Sequence, residues 1–132
     1  MLSAEFGARL TAQGLTTGYT VIRNTVPALP DKVIVVTETG GSGPSQTFDG
    51  QTVENPNVQV VVRGLADDSD GPRLTAERIY QAAMNWGAFS QSSVRFLSVT
   101  PLAAPFPRGK DDNRRVEWVV NFAVEKELSS TA

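Results

Sequence analysis

The chain has 132 residues, is 40% hydrophobic and 20% charged, and carries a formal net charge of −2. That length suits one domain with a single core, and the charge balance lacks the basic excess that neutralises nucleic-acid phosphates. There is no cysteine and no histidine, which excludes disulfides, zinc–thiolate sites, cysteine nucleophiles and histidine-based triads, and removes the commonest general base and metal ligand.

The first segment, 2–15, spaces Leu2, Phe6 and Leu10 four apart with Ala4, Ala8 and Ala12 between them, which predicts a helix with one apolar stripe. Ser3 is its expected N-cap and Gly14 its expected end. Met1-Leu2-Ser3-Ala4-Glu5 has an early acid and no basic-then-apolar layout, so a secretory signal is not expected. No apolar run approaches the roughly 18 residues that cross a membrane, and use in the cytoplasm or in a particle assembled there is expected. Residues 19–23 are β-prone, and Pro27 and Pro30 then break regular structure. Lys32-Val33-Ile34-Val35-Val36-Thr37-Glu38-Thr39 predicts a strand that is apolar on both faces, either inner in its sheet or with one face covered by helices and the other by a neighbouring subunit.

Residues 40–55, opening Gly40-Gly41-Ser42-Gly43-Pro44, read as the longest loop, polar and flexible. The strand Val58 to Arg63 follows. Next come the acidic turn Asp67-Asp68-Ser69-Asp70-Gly71 and a helix from about Pro72 to Trp86. Leu74, Ile79, Ala82, Ala83 and Trp86 are its expected apolar stripe. The final third predicts a long hairpin between 94–100 and 116–124. Val116, Trp118, Val120, Phe122 and Val124 alternate with Glu117, Val119, Asn121, Ala123 and Glu125. Pro101, Pro105 and Pro107 make the outgoing arm irregular or an edge. The tip, 108–115, is charged and expected to be mobile, and the tail 128–132 frayed.

Asp68, Asp70 and Glu77 fall near calcium-loop positions around Gly71, but Ala66 stands at the first ligand position and a strand precedes the turn. A helix start with acids near its positive end is the better reading. Gly40-Gly41-Ser42-Gly43 lacks the lysine and following helix of a phosphate cradle. No nucleophile motif or paired carboxylates stand out, so neither enzyme activity nor a cofactor is expected. Partner contacts are expected instead on the loop (Glu38, Thr39, Gly40, Gly41, Ser42, Gln46, Phe48), at the strand end (Arg63), and at the tip (Arg108, Lys110, Asp111, Asp112, Arg114, Arg115). Ile34, Val36, Val61 and Val119 put apolar residues on both sheet faces, more than two modest helices cover, which predicts burial against further copies.

Thr39-Gly40-Gly41, the long polar segment, Pro56-Asn57-Val58-Gln59-Val60-Val61-Val62-Arg63-Gly64, the helix with Ala76 and Ile79-Tyr80, and the C-terminal hairpin follow one another in an order that resembles the phage minor capsid and tail terminator proteins. The resemblance runs from about Leu2 to Glu127. It implies an α+β fold: a mixed, mainly antiparallel sheet with two helices packed on one face and a long C-terminal hairpin, in one domain over 1–132. It also implies a homo-oligomeric ring, typically a hexamer, that caps the tail tube, stops its polymerisation and meets the head–tail connector or stopper protein. DNA would pass through the lumen without sequence-specific binding, and no membrane is involved. Arg63 matches the family's strand-end arginine. The alternatives are another neck component, such as a head-completion or stopper protein, and a small non-viral metal-binding or hydrolase domain.

Overall fold

The computed structural model describes residues 2–46 and 52–127. In chain order the elements are α1 (Leu2–Ala12), β1 (Thr20–Arg23), β2 (Val33–Gln46), β3 (Thr52–Ala66), α2 (Asp70–Met84), β4 (Phe89–Gln91), β5 (Val94–Pro101), β6 (Phe106–Lys110) and β7 (Arg115–Glu127). Among the described residues the strands form one sheet in the order β1-β2-β3-β7-β5-β4, with β6 also paired to β7. β1 and β2 are parallel, and the other pairings are antiparallel. The fold is α+β, as expected.

Both helices pack on one face. Leu2, Phe6 and Leu10 of α1 and Ala76, Ile79 and Ala83 of α2 meet Ile34, Val36, Val58, Val60, Val62, Val120, Phe122 and Val124 of the sheet in one buried cluster. Phe6 stands 5.4 Å from Phe122 and 5.6 Å from Trp86, ring centre to ring centre. Burying a side chain such as Ile79 contributes about 2 kcal/mol. The alternation in β7 therefore does what its sequence predicts, because a period of two sends every second side chain to the helices.

Helix registers needed correction. α1 already includes Ser3, whose hydroxyl is buried without a hydrogen-bond partner, so Ser3 is not its cap. Gly14, at φ +71°, does follow the helix end. α2 starts two residues before Pro72, and its buried stripe is Pro72, Thr75, Ala76, Ile79 and Ala83. Leu74 lies off that stripe and is 48% exposed, while Trp86 lies beyond the helix, half-buried against Phe6 and Phe89. The acidic turn does open the helix: Asp68 Oδ1 accepts the Gly71 N–H at 3.1 Å. Gly64 lets this helix start press on β3, since a Cβ there would stand 2.8 Å from Pro72 Cδ.

The second face is closed within one chain. Val33, Val35, Val61 and Val119 form a separate cluster, each at most 2% exposed, with Ile22 packed against it. The β1–β2 connection, residues 24–32, crosses this face. The expected burial of these positions against further copies is thereby corrected: Ile34 and Val36 belong to the helix side, and Val61 and Val119 are already covered.

Candidate functional site

Two regions carry the polar residues that the sequence singles out. One is the far end of the β2–β3 hairpin. Within the stretch expected to be a loop, the described residues 40–46 and 52–55 continue the ladder through Gly40↔Asn57, Gly41↔Pro56, Ser42↔Asn55, Ser45↔Val53 and Gln46↔Thr52. The ladder is made of backbone groups, so a stretch without apolar side chains can extend it. Glycines set its shape. The register shifts between Glu38 and Gly40, and Gly40 sits at φ +88°. A Cβ on Gly41 would stand 2.1 Å from the Asn55 carbonyl oxygen, a contact no other residue tolerates. Asn55 Nδ2 donates across the ribbon to the Gly43 carbonyl (3.0 Å) and to Ser45 Oγ (3.5 Å). At the base of this arm Lys126 Nζ meets Glu54 Oε1 at 3.0 Å. Glu38, Thr39, Gly40, Gly41, Ser42 and Gln46 are all exposed. Phe48 lies outside the described residues.

The other region is the β6–β7 tip, and here the expected exposure needs correction. Arg63 is 1% exposed and Arg115 4%. Arg63 donates from Nε to the Asp31 carbonyl (3.0 Å), and from its two terminal nitrogens to the carbonyls of Pro27 and Pro30 (2.7 Å each). Arg115 donates to the Ala28 carbonyl (2.7 Å), to Asp31 Oδ1 (2.8 Å) and to Asp111 Oδ2 (2.8 Å). Both guanidiniums thus spend their donors on the 24–32 connection and hold it against the sheet. Arg63 closes its bonds inside its own subunit. The tip is anchored through the same group: Asp111 Oδ1 accepts the backbone N–H of Asn113 and of Arg115, both at 3.0 Å.

Electrostatics work against the Arg63 charge and in favour of the Asp111–Arg115 pair. Burial, and then the neighbouring Arg115 charge, lower the Arg63 pKa below the ordinary guanidinium value, with Asp111, Glu117 and Asp31 opposing. Burial alone would raise the Asp111 carboxyl, but the N–H groups of Arg115 and Asn113 and the Arg115 guanidinium outweigh it and hold it below the usual carboxylate value. Burial also works against Arg115, and its bonds to Asp31 and Asp111 win, so its pKa is raised. The outer tip residues make weaker surface pairs: Arg108 with Glu117 (2.7 Å), and Lys110 and Arg114 with Asp67 (3.6 and 3.4 Å). Asp112 is exposed.

The residues of the calcium reading are engaged elsewhere: Asp68 accepts the Gly71 N–H in the first turn of α2, while Asp70 and Glu77 flank Arg73 at 3.8 and 3.6 Å. Sequence reasoning missed a groove of about 560 Å³ between the end of α2 and β5, lined by Tyr80, Met84, Val99 and Leu102 among others. Met84 and Leu102 are more than half exposed there. Their only sequence signal is an apolar residue off the helical stripe and another just after a strand-ending proline. Chemically, the molecule offers backbone edges, small polar groups and apolar grooves, which suit protein contact.

Comparison with known proteins fits that character. The family model described as "Bacteriophage tail terminator protein" matches residues 9–128. No curated protein matches the chain. Among solved structures, 18 chains match. One of them, from a structure titled "Virion of native gene transfer agent (GTA) particle", superposes with a TM-score of 0.67 at 15% identity, covering 96% of this chain and 95% of that one. At that identity the likeness speaks for the fold.

Proposed function

The chain belongs to the bacteriophage tail terminator family, a family of structural tail proteins, and from that premise we propose that it forms a ring, of six copies, that caps the end of a tail tube. In that position it stops tube polymerisation and offers its other side to the head–tail connector or stopper protein. DNA passes through the lumen without being read, in keeping with a net charge of −2. The observation that carries the proposal is the family match over residues 9–128, nearly the whole of this fold. Two features support it. The apolar clusters on both faces are buried within one chain, so a ring contact is left to the strand edges and the polar arm. The β2–β3 arm projects exposed polar backbone, as a part that engages neighbours does.

The working site in this proposal is the arm residues Glu38, Thr39, Gly40, Gly41, Ser42 and Gln46, with Arg108, Lys110, Asp112 and Arg114 at the opposite end of the sheet as a second contact surface. Arg63, Asp111 and Arg115 position the surfaces without touching a partner. The test is negative-stain imaging of particles made without this protein. Overlong tails, or tails not joined to heads, are the expected outcome; tails of normal length joined to heads refute the proposal.

A further inference from the structure

The sheet has two margins, and each is closed over one part of its length and open over another. On the first margin β1 pairs with β2 only from Val33 to Val36, and its last bond runs from the Asn24 N–H to the Val36 carbonyl at 3.0 Å. Beyond that point, among the described residues, no strand pairs with the outer edge of β2. On the second margin β6 runs beside the first part of β7, and its own outer edge carries a proline in mid-strand, Pro107, and the charges of Arg108 and Lys110. Such features are how proteins keep an edge from pairing. β4 covers β5 only from Val94 to Phe96. The next five residues, Leu97-Ser98-Val99-Thr100-Pro101, carry no charge and have no outer partner among the described residues; a register shift between Phe96 and Ser98 and the proline at 101 lie at the two ends of this segment and leave Ser98, Val99 and Thr100 between them.

These two open edges lie at the same height. Through the ladder, Glu38 is level with Val58, Phe122 and Pro101, and Gly40 with Asn57, Ala123 and Thr100. They also have compatible directions. β2, β3, β7 and β5 are successively antiparallel, so β2 and β5 run in opposite senses. A rotation about an axis parallel to the strands preserves those senses and sets β2 of one copy antiparallel to β5 of the next.

We infer that residues 37–42 of one copy pair with residues 97–101 of a second copy, head to tail, so that the sheet continues from subunit to subunit. The paired length is about five residues, roughly 17 Å. Because the two surfaces differ, the contact is heterologous, and its repetition about a single axis gives the ring of the function proposed above. The incoming strand lies beside the groove of Met84 and Leu102 and takes their apolar surface out of water. The match of edges stands on register alone, while the closed ring rests on the function proposed above.

Since the chain has no cysteine, the double variant Thr39→Cys with Thr100→Cys introduces the only thiols. Oxidation of assembled particles, and of concentrated protein, is expected to give a ladder of covalent multimers on a denaturing gel, with each single variant remaining monomeric. No ladder from particles in which microscopy shows a ring overturns the edge pairing and leaves the terminator function standing. A ladder from a protein whose loss leaves tails normal supports the pairing and removes the function. Covalent dimers of either single variant overturn the head-to-tail contact in favour of a two-fold one. The unmodified protein gives an independent readout: on assembly the exchange of amides in 37–42 and 98–100 slows by about tenfold or more, with 106–110 unchanged. Unchanged exchange at both open edges overturns the pairing.

Discussion

The β2–β3 arm and the β6–β7 tip look alike as sequence, since each is a polar stretch between two apolar strands, yet they are built in opposite ways. The arm is held by its own ladder and by Asn55, with its side chains exposed. The tip is tied by Asp111 and Arg115 to a connection that lies far away in the chain, and Arg63 holds that connection from beneath. Charge by itself therefore does not mark a mobile, partner-seeking end. What decides is whether the donors and acceptors find partners inside the subunit, and here the more charged end is the more firmly fixed.

The largest test of this contrast is Arg63→Ala. It strands three carbonyl groups beneath the 24–32 connection and leaves the neighbouring charges unbalanced, so unfolding in denaturant is expected to show a loss of about 3 kcal/mol or more. A loss under about 1 kcal/mol breaks the claim that the tip side is internally clamped. Gly41→Ala comes next. Its Cβ meets the Asn55 carbonyl at 2.1 Å, so the ribbon must open locally, with a cost of about 1–3 kcal/mol. The expected signature is faster amide exchange confined to 40–46 and 52–57; a change spread over the core refutes the independence of the arm.

The smallest effect is a pH dependence. The folded-state pKa of Asp111 is lowered, so at acid pH the unfolded chain binds the proton more readily. The contribution of Asp111 is complete above the ordinary carboxylate value of about 3.9 and is lost as pH falls through the lowered folded value. Asp111→Asn is therefore expected to lower the melting temperature at neutral pH and to flatten its decline below about pH 4. Equal acid profiles for the two proteins break the assignment.

Much of the fold is legible in the sequence because side-chain period encodes it. The alternation from Val116 to Val124 and the β-branched run around Ile34 and Val35 each specify a strand, and Leu2, Phe6 and Leu10 specify a helical face. The arm is not legible, because a ladder leaves no side-chain period when its residues are glycine, serine and threonine; Gly40-Gly41 reads the same in a turn as in a bulge. The clamp is hidden for another reason. Arg115 meets the Ala28 carbonyl across 87 positions, and a lone arginine in an apolar strand gives no sign of which distant carbonyls will receive it. The open edge of β5 is equally silent, since strand order depends on long-range pairing that no local pattern records.

The length of β3 has a mechanical consequence. It runs unbroken for 15 residues from Thr52 to Ala66, about 50 Å of extended chain, from the arm at one end to the Arg63 clamp at the other. A pull applied lengthwise at the arm loads the bonds of β3 to β2 and β7 together, so they resist as a set, with the register shifts at Glu38/Gly40 and Arg63/Ala66 as the places where the ladder can give. A sideways pull meets them one at a time and peels. The subunit is stiff along its strands and compliant across them.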